Sequence, residues 1–211
     1  DKYKRKNLPP PLISIAKSIR LFHPCPNPNR ILNNLAVCLR DRYFNYGLLD
    51  YLVKKGTLDF IGINYYGREF VRFSRYARRR LFGENCLCPQ HSRNTLRNSL
   101  GWEIYPPGIR EIMLRIKKYG LPVIITENGV CTDDDNLRWF YIREHLKELA
   151  GAVQNGVNLR GYFYWSLLDN FEWHEGFTPR FGLIEVDYKD FRRHIRESAR
   201  KFAEVCGTNS I

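Results

Sequence analysis

Short apolar runs alternate along the chain with longer stretches in which apolar residues recur three or four positions apart, the signatures of buried strands and of helices. The run Leu12-Ile13-Ser14-Ile15-Ala16, set off by Pro9-Pro10-Pro11, predicts a first strand. Beyond the loop from His23 to Asn29, the positions Ile31, Leu32, Leu35, Leu39, Leu48, Leu49 and Leu52 predict a single helix that stops at Gly56. Leu58 to Tyr66 is apolar apart from Asp59 and Asn64, as a strand covered on both faces should be. A polar, Arg-rich excursion follows from about Gly67 to Ser99. The remaining pattern predicts helices over 108–119, 137–155 and 191–205, with strands at 122–126 and 161–166 between them. The acidic run Asp133-Asp134-Asp135 opens the second of these helices, where carboxylates complement the helix dipole.

Strands near 12–17, 59–65, 122–126 and 161–166, each followed by a helix, predict a parallel sheet in sequential order with right-handed crossovers. Four such units are half of an eight-unit barrel, which typically takes ~250 residues. The expected organisation is a linker or upstream segment over 1–10, the half barrel over 11–206 and a tail over 207–211.

Composition narrows the function. The net charge of +12 raises nucleic acid as a partner, with Arg75, Arg78, Arg79 and Arg80 the densest cluster. Helix-turn-helix, zinc-finger and phosphate-loop patterns are absent, and aromatics do not interleave with the basic run, so a solvated arginine face is expected instead. No apolar stretch reaches the roughly 18 residues of a membrane span, and no leader-like segment opens the chain, so the expectation is a cytoplasmic protein. Six scattered cysteines read as free thiols. Cys86, Cys88 and His91 could offer three soft ligands, but lack a fourth at zinc spacing, and neither metal nor cofactor is expected.

Polar residues gather where each apolar strand ends: Asn64 and Tyr66, Glu127 and Asn128, then Ser166, Asp169 and Glu172. In a β/α barrel those ends converge on the active site. At the same places the sequence resembles family 1 glycoside hydrolases. Ile125-Thr126-Glu127-Asn128-Gly129 looks like the family's nucleophile motif; Asp59 to Tyr66, Gly101 to Pro106, Trp165 to Trp173, and Arg180 to Leu183 with Val186 to Tyr188 match others in family order. The resemblance implies a (β/α)₈ barrel of which these strands are the fifth to eighth, and hydrolysis of O-glycosidic bonds with retention. It implies that Glu127 is the nucleophile and that Tyr66 orients it by a hydrogen bond. Asn64, Trp165, Glu172, Trp173 and Phe181 would bind the sugar, and a cis peptide would join Trp165 to Ser166. Glu172, together with Pro179-Arg180-Phe181, favours an unphosphorylated β-glycoside, since a carboxylate would repel a phosphate.

Retaining hydrolysis needs a second carboxyl group, about 5 to 5.5 Å from the nucleophile, as acid and base. The family's Asn-Glu-Pro motif, which carries it, does not occur in these 211 residues. The expected partner is therefore an N-terminal half barrel, in cis or in trans, or a second copy of the chain, with the isolated chain inactive. The alternative is a non-catalytic protein that keeps the fold for glycan or partner binding.

Overall fold

A computed structural model of the chain describes residues 9–26, 29–86 and 95–211. Four parallel strands form its centre: β1 (Ala16–Pro24), β2 (Ile61–Phe73), β4 (Val123–Asn128) and β5 (Leu159–Tyr164), in the order β1-β2-β4-β5. Helices α1 (Arg30–Arg40) and α2 (Gly47–Lys54) connect the first pair, α3 (Pro107–Ile116) the second, α4 (Asp135–Gln154) the third, and α5 (Glu197–Thr208) closes the chain. This is the sequential βα arrangement of half a (β/α)₈ barrel. The cores of β2 and β4, and the ends of α3 and α4, fall where the periodicity places them. Asp134 caps α4 by accepting the amide of Asn136 at 2.9 Å, and Pro107 occupies the first turn of α3, where its missing N–H costs nothing.

One face of each strand carries the main core. Ile19 and Leu21 of β1, Ile61, Ile63 and Tyr65 of β2, and Val123 and Ile125 of β4 are buried against Ile109, Ile112, Met113 and Ile116 of α3 and Leu149 of α4. Alternation sends the intervening residues to the opposite face. There Phe163 of β5, between the helix-packed Tyr162 and Tyr164, is 62 % exposed, so the inner face of β5 lies open at this point.

The structure departs from the periodicity in several places. The first strand runs from Ala16 to Pro24 rather than 12–17, and Leu12 and Ile13 lie exposed ahead of it. Alternation decides this: Ile19 and Leu21 are buried while Ser18 and Arg20 are exposed, a pattern weaker to the eye than an unbroken apolar run. The single predicted helix is broken into α1 and α2 by a wider π-helical stretch, Asp41–Tyr46. That stretch turns Asn45 inward, where its amide accepts from Arg20 N at 3.1 Å and donates to Arg20 O at 2.7 Å. Arg20 sits where the β1–β2 register shifts, so Asn45 satisfies the strand's unpaired backbone groups. In the polar excursion, β2 continues to Phe73 and β3 (Gly83–Asn85) returns antiparallel to it. After β5 a hairpin of β6 (Ile184–Val186) and β7 (Arg193–Ile195) precedes α5, which extends through Thr208, into the expected tail.

Cys25 and Cys86 form a disulfide, which corrects the free-thiol expectation for that pair; Cys38, Cys131 and Cys206 are free. With Cys86 so engaged, the candidate metal trio loses a ligand, and Cys88 and His91 lie outside the described residues. No helix among the described residues is long and apolar enough to cross a membrane.

His145 is wholly buried in α4, its Nδ1 2.8 Å from the carbonyl of Tyr141, and burial pushes its pKa down from 6.5 to about 4. The folded chain keeps this imidazole neutral while the unfolded chain protonates it below its ordinary value. Its contribution to stability is therefore full above pH 6.5 and is lost as the pH falls, by about 3 kcal/mol at pH 4. Urea unfolding of His145→Phe should show a flatter fall between pH 6.5 and 4 than the parent chain; an identical slope would show that His145 does not titrate this way.

Candidate active site

The first half of β2 and the C-terminal ends of β4 and β5 deliver the site. In β2, Asn64 and Tyr66 alternate with the core residues Ile63 and Tyr65, so the fold that buries the latter aims the former inward. Tyr66 Oη donates to Glu127 Oε2 at 2.7 Å, and Thr126 Oγ1 donates to Asn64 Oδ1 at 2.6 Å. Burial first, then the hydrogen bond and the nearby charges of Glu127 and Glu172, hold the Tyr66 hydroxyl far above its ordinary value. It is a neutral donor throughout the working range of any enzyme.

Asn128, fully buried beside Glu127, ties three elements together. Its amide nitrogen donates to Tyr65 O at 2.7 Å and to Tyr141 Oη at 2.8 Å, and its oxygen accepts from Tyr162 Oη at 2.9 Å. Those bonds reach β2, α4 and β5, so the end of β4 is held on every side. The next residue must be glycine: a Cβ on Gly129 would lie 1.8 Å from the carbonyl oxygen of Trp165. The peptide joining Trp165 to Ser166 is cis.

The loop after β5 is organised by Asp169, whose side chain is wholly buried. Its carboxylate accepts from the amides of Gly182 at 2.8 Å and Val186 at 3.3 Å, and from Arg180 and Arg196, each at 3.3 Å. That clamp seats Phe181, 2 % exposed, with its ring 6.4 Å from Tyr66. Trp165 Nε1 donates to Glu172 Oε1 at 3.1 Å. Trp173, in contrast, stands 81 % exposed and does not share this contact with its neighbour Glu172.

The structure therefore gathers Tyr66, Glu127 and Phe181, with Asn64 alongside and the Trp165–Glu172 pair bordering them, while Trp173 projects into solvent. Two contributors escaped the sequence reading. Trp102 packs edge-on against Tyr66 at 5.8 Å and tilted against Phe181 at 6.3 Å. It is held there because Arg68 of β2 grips the adjacent Glu103 through two bonds of 2.8 and 2.7 Å. Asp169, read only as a polar strand end, proves to be the hub of its loop. The signal for Trp102 was its motif, Gly101 to Pro106; nothing local marks Asp169 as a hub, since its partners are 11 to 27 positions away. Among the described residues no group of His, Cys, Asp and Glu is arranged to hold a metal.

Residues 41–211 match the sequence model of glycosyl hydrolase family 1. A β-galactosidase of Sulfolobus acidocaldarius is 34% identical over 202 residues, which are 87% of this chain and 41% of that protein. β-Glucosidase A of Thermotoga maritima is 39% identical over 166 residues, 73% of this chain and 35% of its own length. The solved structure of a family 1 β-glucosidase from Thermotoga maritima superposes with a TM-score of 0.84 at 29% identity, covering 100% of this chain and 54% of that one. A β-glycosidase from Pyrococcus horikoshii gives a TM-score of 0.82 at 37% identity over 91% of this chain and 47% of its own. The chain thus spans about half, or less, of the proteins it matches.

Proposed function

The chain belongs to glycosyl hydrolase family 1, and on that premise we propose that it supplies the nucleophile half of a retaining β-glycosidase acting on unphosphorylated β-glycosides. The bond from Tyr66 to Glu127 carries the reading, because it pins one carboxylate oxygen and leaves the other to face a substrate. Glu127 attacks the anomeric carbon as the glycosidic bond breaks, and the leaving oxygen takes a proton from a second carboxyl group. That group then deprotonates the water that releases the sugar from its ester. Asn64, Trp165, Glu172 and Phe181 receive the sugar, with Trp173 closing on it from solvent. The second carboxyl and the rest of the sugar pocket come from an N-terminal half barrel, in cis or in trans. The open inner face beside Phe163 is the surface such a half would cover.

A glycoside whose leaving group departs without protonation tests the nucleophile separately from the acid. Supplied with a family N-terminal half barrel and 2,4-dinitrophenyl 2-deoxy-2-fluoro-β-glucoside, the chain should acquire one glycosyl group, mapped by mass spectrometry to Glu127. Tyr66→Phe should slow that labelling roughly 10- to 100-fold, the worth of a hydrogen bond to a charged group. Labelling elsewhere, or an unaltered rate in Tyr66→Phe, would refute the assignment. The alternative of a glycan-binding protein without catalysis predicts reversible binding and no adduct.

A further inference from the structure

Arg20 of β1, Arg40 in the last turn of α1, and Arg79 and Arg80 in the short helical turn after β2 line one open cleft of about 410 Å³. Glu69 is the carboxylate among its walls. It pairs with Arg20 and lies 3.6 Å from Arg40, and Glu84 nearby is engaged by Arg72 at 3.4 Å. Arg79 and Arg80 form no ion pair among the described residues, although Glu84 lies within electrostatic reach of Arg80, so four arginines line the cleft with Glu69 as its one lining carboxylate. Such an excess of like charge at short range is unfavourable without an anion. The mutual repulsion registers at Arg40, whose pKa is lowered by burial and by the charges of Arg80 and Arg20, against the opposing pull of Glu69.

The cleft is built. Arg40 is anchored by bonds to Asn85 Oδ1 at 2.8 Å and Gly83 O at 3.0 Å, which fixes its guanidinium plane before any ligand arrives. The turn carrying Arg79 and Arg80 is closed by Phe82 N to Ala77 O at 2.9 Å and Ser74 N to Phe82 O at 2.8 Å.

It also adjoins the candidate active site. A neighbouring cleft of about 290 Å³, walled by Tyr66, Arg68, Trp102 and Glu103, shares Arg20, Glu69 and Asn85 with it. The β1–β2 register passes from Ile19↔Tyr65 to Leu21↔Arg68, so β2 carries one extra residue at this point. That bulge reverses the alternation and brings Glu69 to the same face as Tyr66, about 10 Å further along the strand. Tyr66, whose hydroxyl reaches Glu127, and the indole of Trp102 therefore wall the first cleft, and the arginine cleft adjoins it across Arg20, Glu69 and Asn85.

We propose that this arginine cleft binds the anionic end of the leaving group of a β-glycoside whose sugar sits at Glu127. The proposal rests on the glycosidase reading and names its substrate class: an aryl glycoside with a carboxylate or similar anion at the far end of its leaving group. A planar carboxylate accepts paired bonds from guanidinium groups, and an aryl linker packs on Trp102.

Titration calorimetry with the whole chain tests it, using 4′-hydroxybiphenyl-4-carboxylate, neutral 4-hydroxybiphenyl and the β-glucosides of both. The free acid should bind roughly tenfold more tightly than the neutral phenol at low salt, with the advantage shrinking as salt rises. The exposed pair Arg79→Gln/Arg80→Gln should abolish that advantage without changing the phenol's affinity or the far-ultraviolet dichroism. Equal affinity of acid and phenol, or an advantage that survives the double variant, would overturn the cleft as an anion site. An acid that binds through the arginines while its glucoside gains nothing over the neutral glucoside would overturn the link to the leaving group. Failure of the glycosidase reading itself shows elsewhere, as absent labelling of Glu127.

Discussion

Given an alkyl β-glucoside, the 211-residue chain alone should release no alcohol above the uncatalysed rate, and adding a family N-terminal half barrel should start turnover. Glu127 can attack, but an alkoxide is a poor leaving group unless it is protonated as the bond breaks. General acid/base assistance is typically worth about 10² to 10⁴ in rate, and loss of the remaining sugar contacts, which strengthen in the transition state, adds to the deficit. A dinitrophenyl β-glucoside, which needs little protonation, should suffer less. Glu127→Gln should abolish both reactions in the reconstituted barrel, leaving only background. Rapid hydrolysis of the alkyl glucoside by the chain alone, lost in Glu127→Gln, would show that an acid within these residues does the work, and the proposed division of labour would fail.

The largest effect on stability should come from Asp169→Ala. The wild-type carboxylate is wholly buried, and its removal strands the amides of Gly182 and Val186 and leaves Arg196, whose side chain is only 10% exposed, without this partner. Breaking a buried ion pair from one side typically costs about 3–5 kcal/mol. For a domain whose total stability is on the order of 5–15 kcal/mol, thermal unfolding should fall by roughly 10 °C. Asp169→Asn keeps an acceptor for the amides but not the charge and should fall between the two. Because the same loop carries Glu172 and Phe181, the Ala variant should also lose glycoside binding in the reconstituted barrel. An unchanged melting temperature in Asp169→Ala would show that the loop is held by something else.

The legible parts of the site share one property: each is announced by its own strand. Tyr66 and Glu127 close short, mostly apolar runs, and a polar side chain at the end of such a run has few places to go other than the mouth of the sheet. Their meeting at 2.7 Å, across 61 positions of sequence, was accessible through the motifs together. Trp173 shows the limit of that reasoning, since its motif neighbour Glu172 pairs with Trp165 while its own indole stands in solvent. The disulfide between Cys25 and Cys86, 61 positions apart, had no signal in the spacing of six scattered cysteines.

What the sequence determined by itself is the alternation of strand and helix, the sequential parallel order, and the polar residues at the mouth of the sheet. Those follow from hydrophobic period and from a buried strand's need to end in something polar, and both are local. The tertiary structure alone decided the details of register. It moved β1 several residues along, set the π-helical stretch so that Asn45 could satisfy Arg20, and placed a bulge that turned Glu69 onto the face of Tyr66. It also assembled Asp169 with Arg180 and Arg196, and drew four arginines from three separate segments into one cleft. Register and charge convergence depend on which backbone groups remain unpaired once distant strands have met. No periodicity within a single segment encodes that.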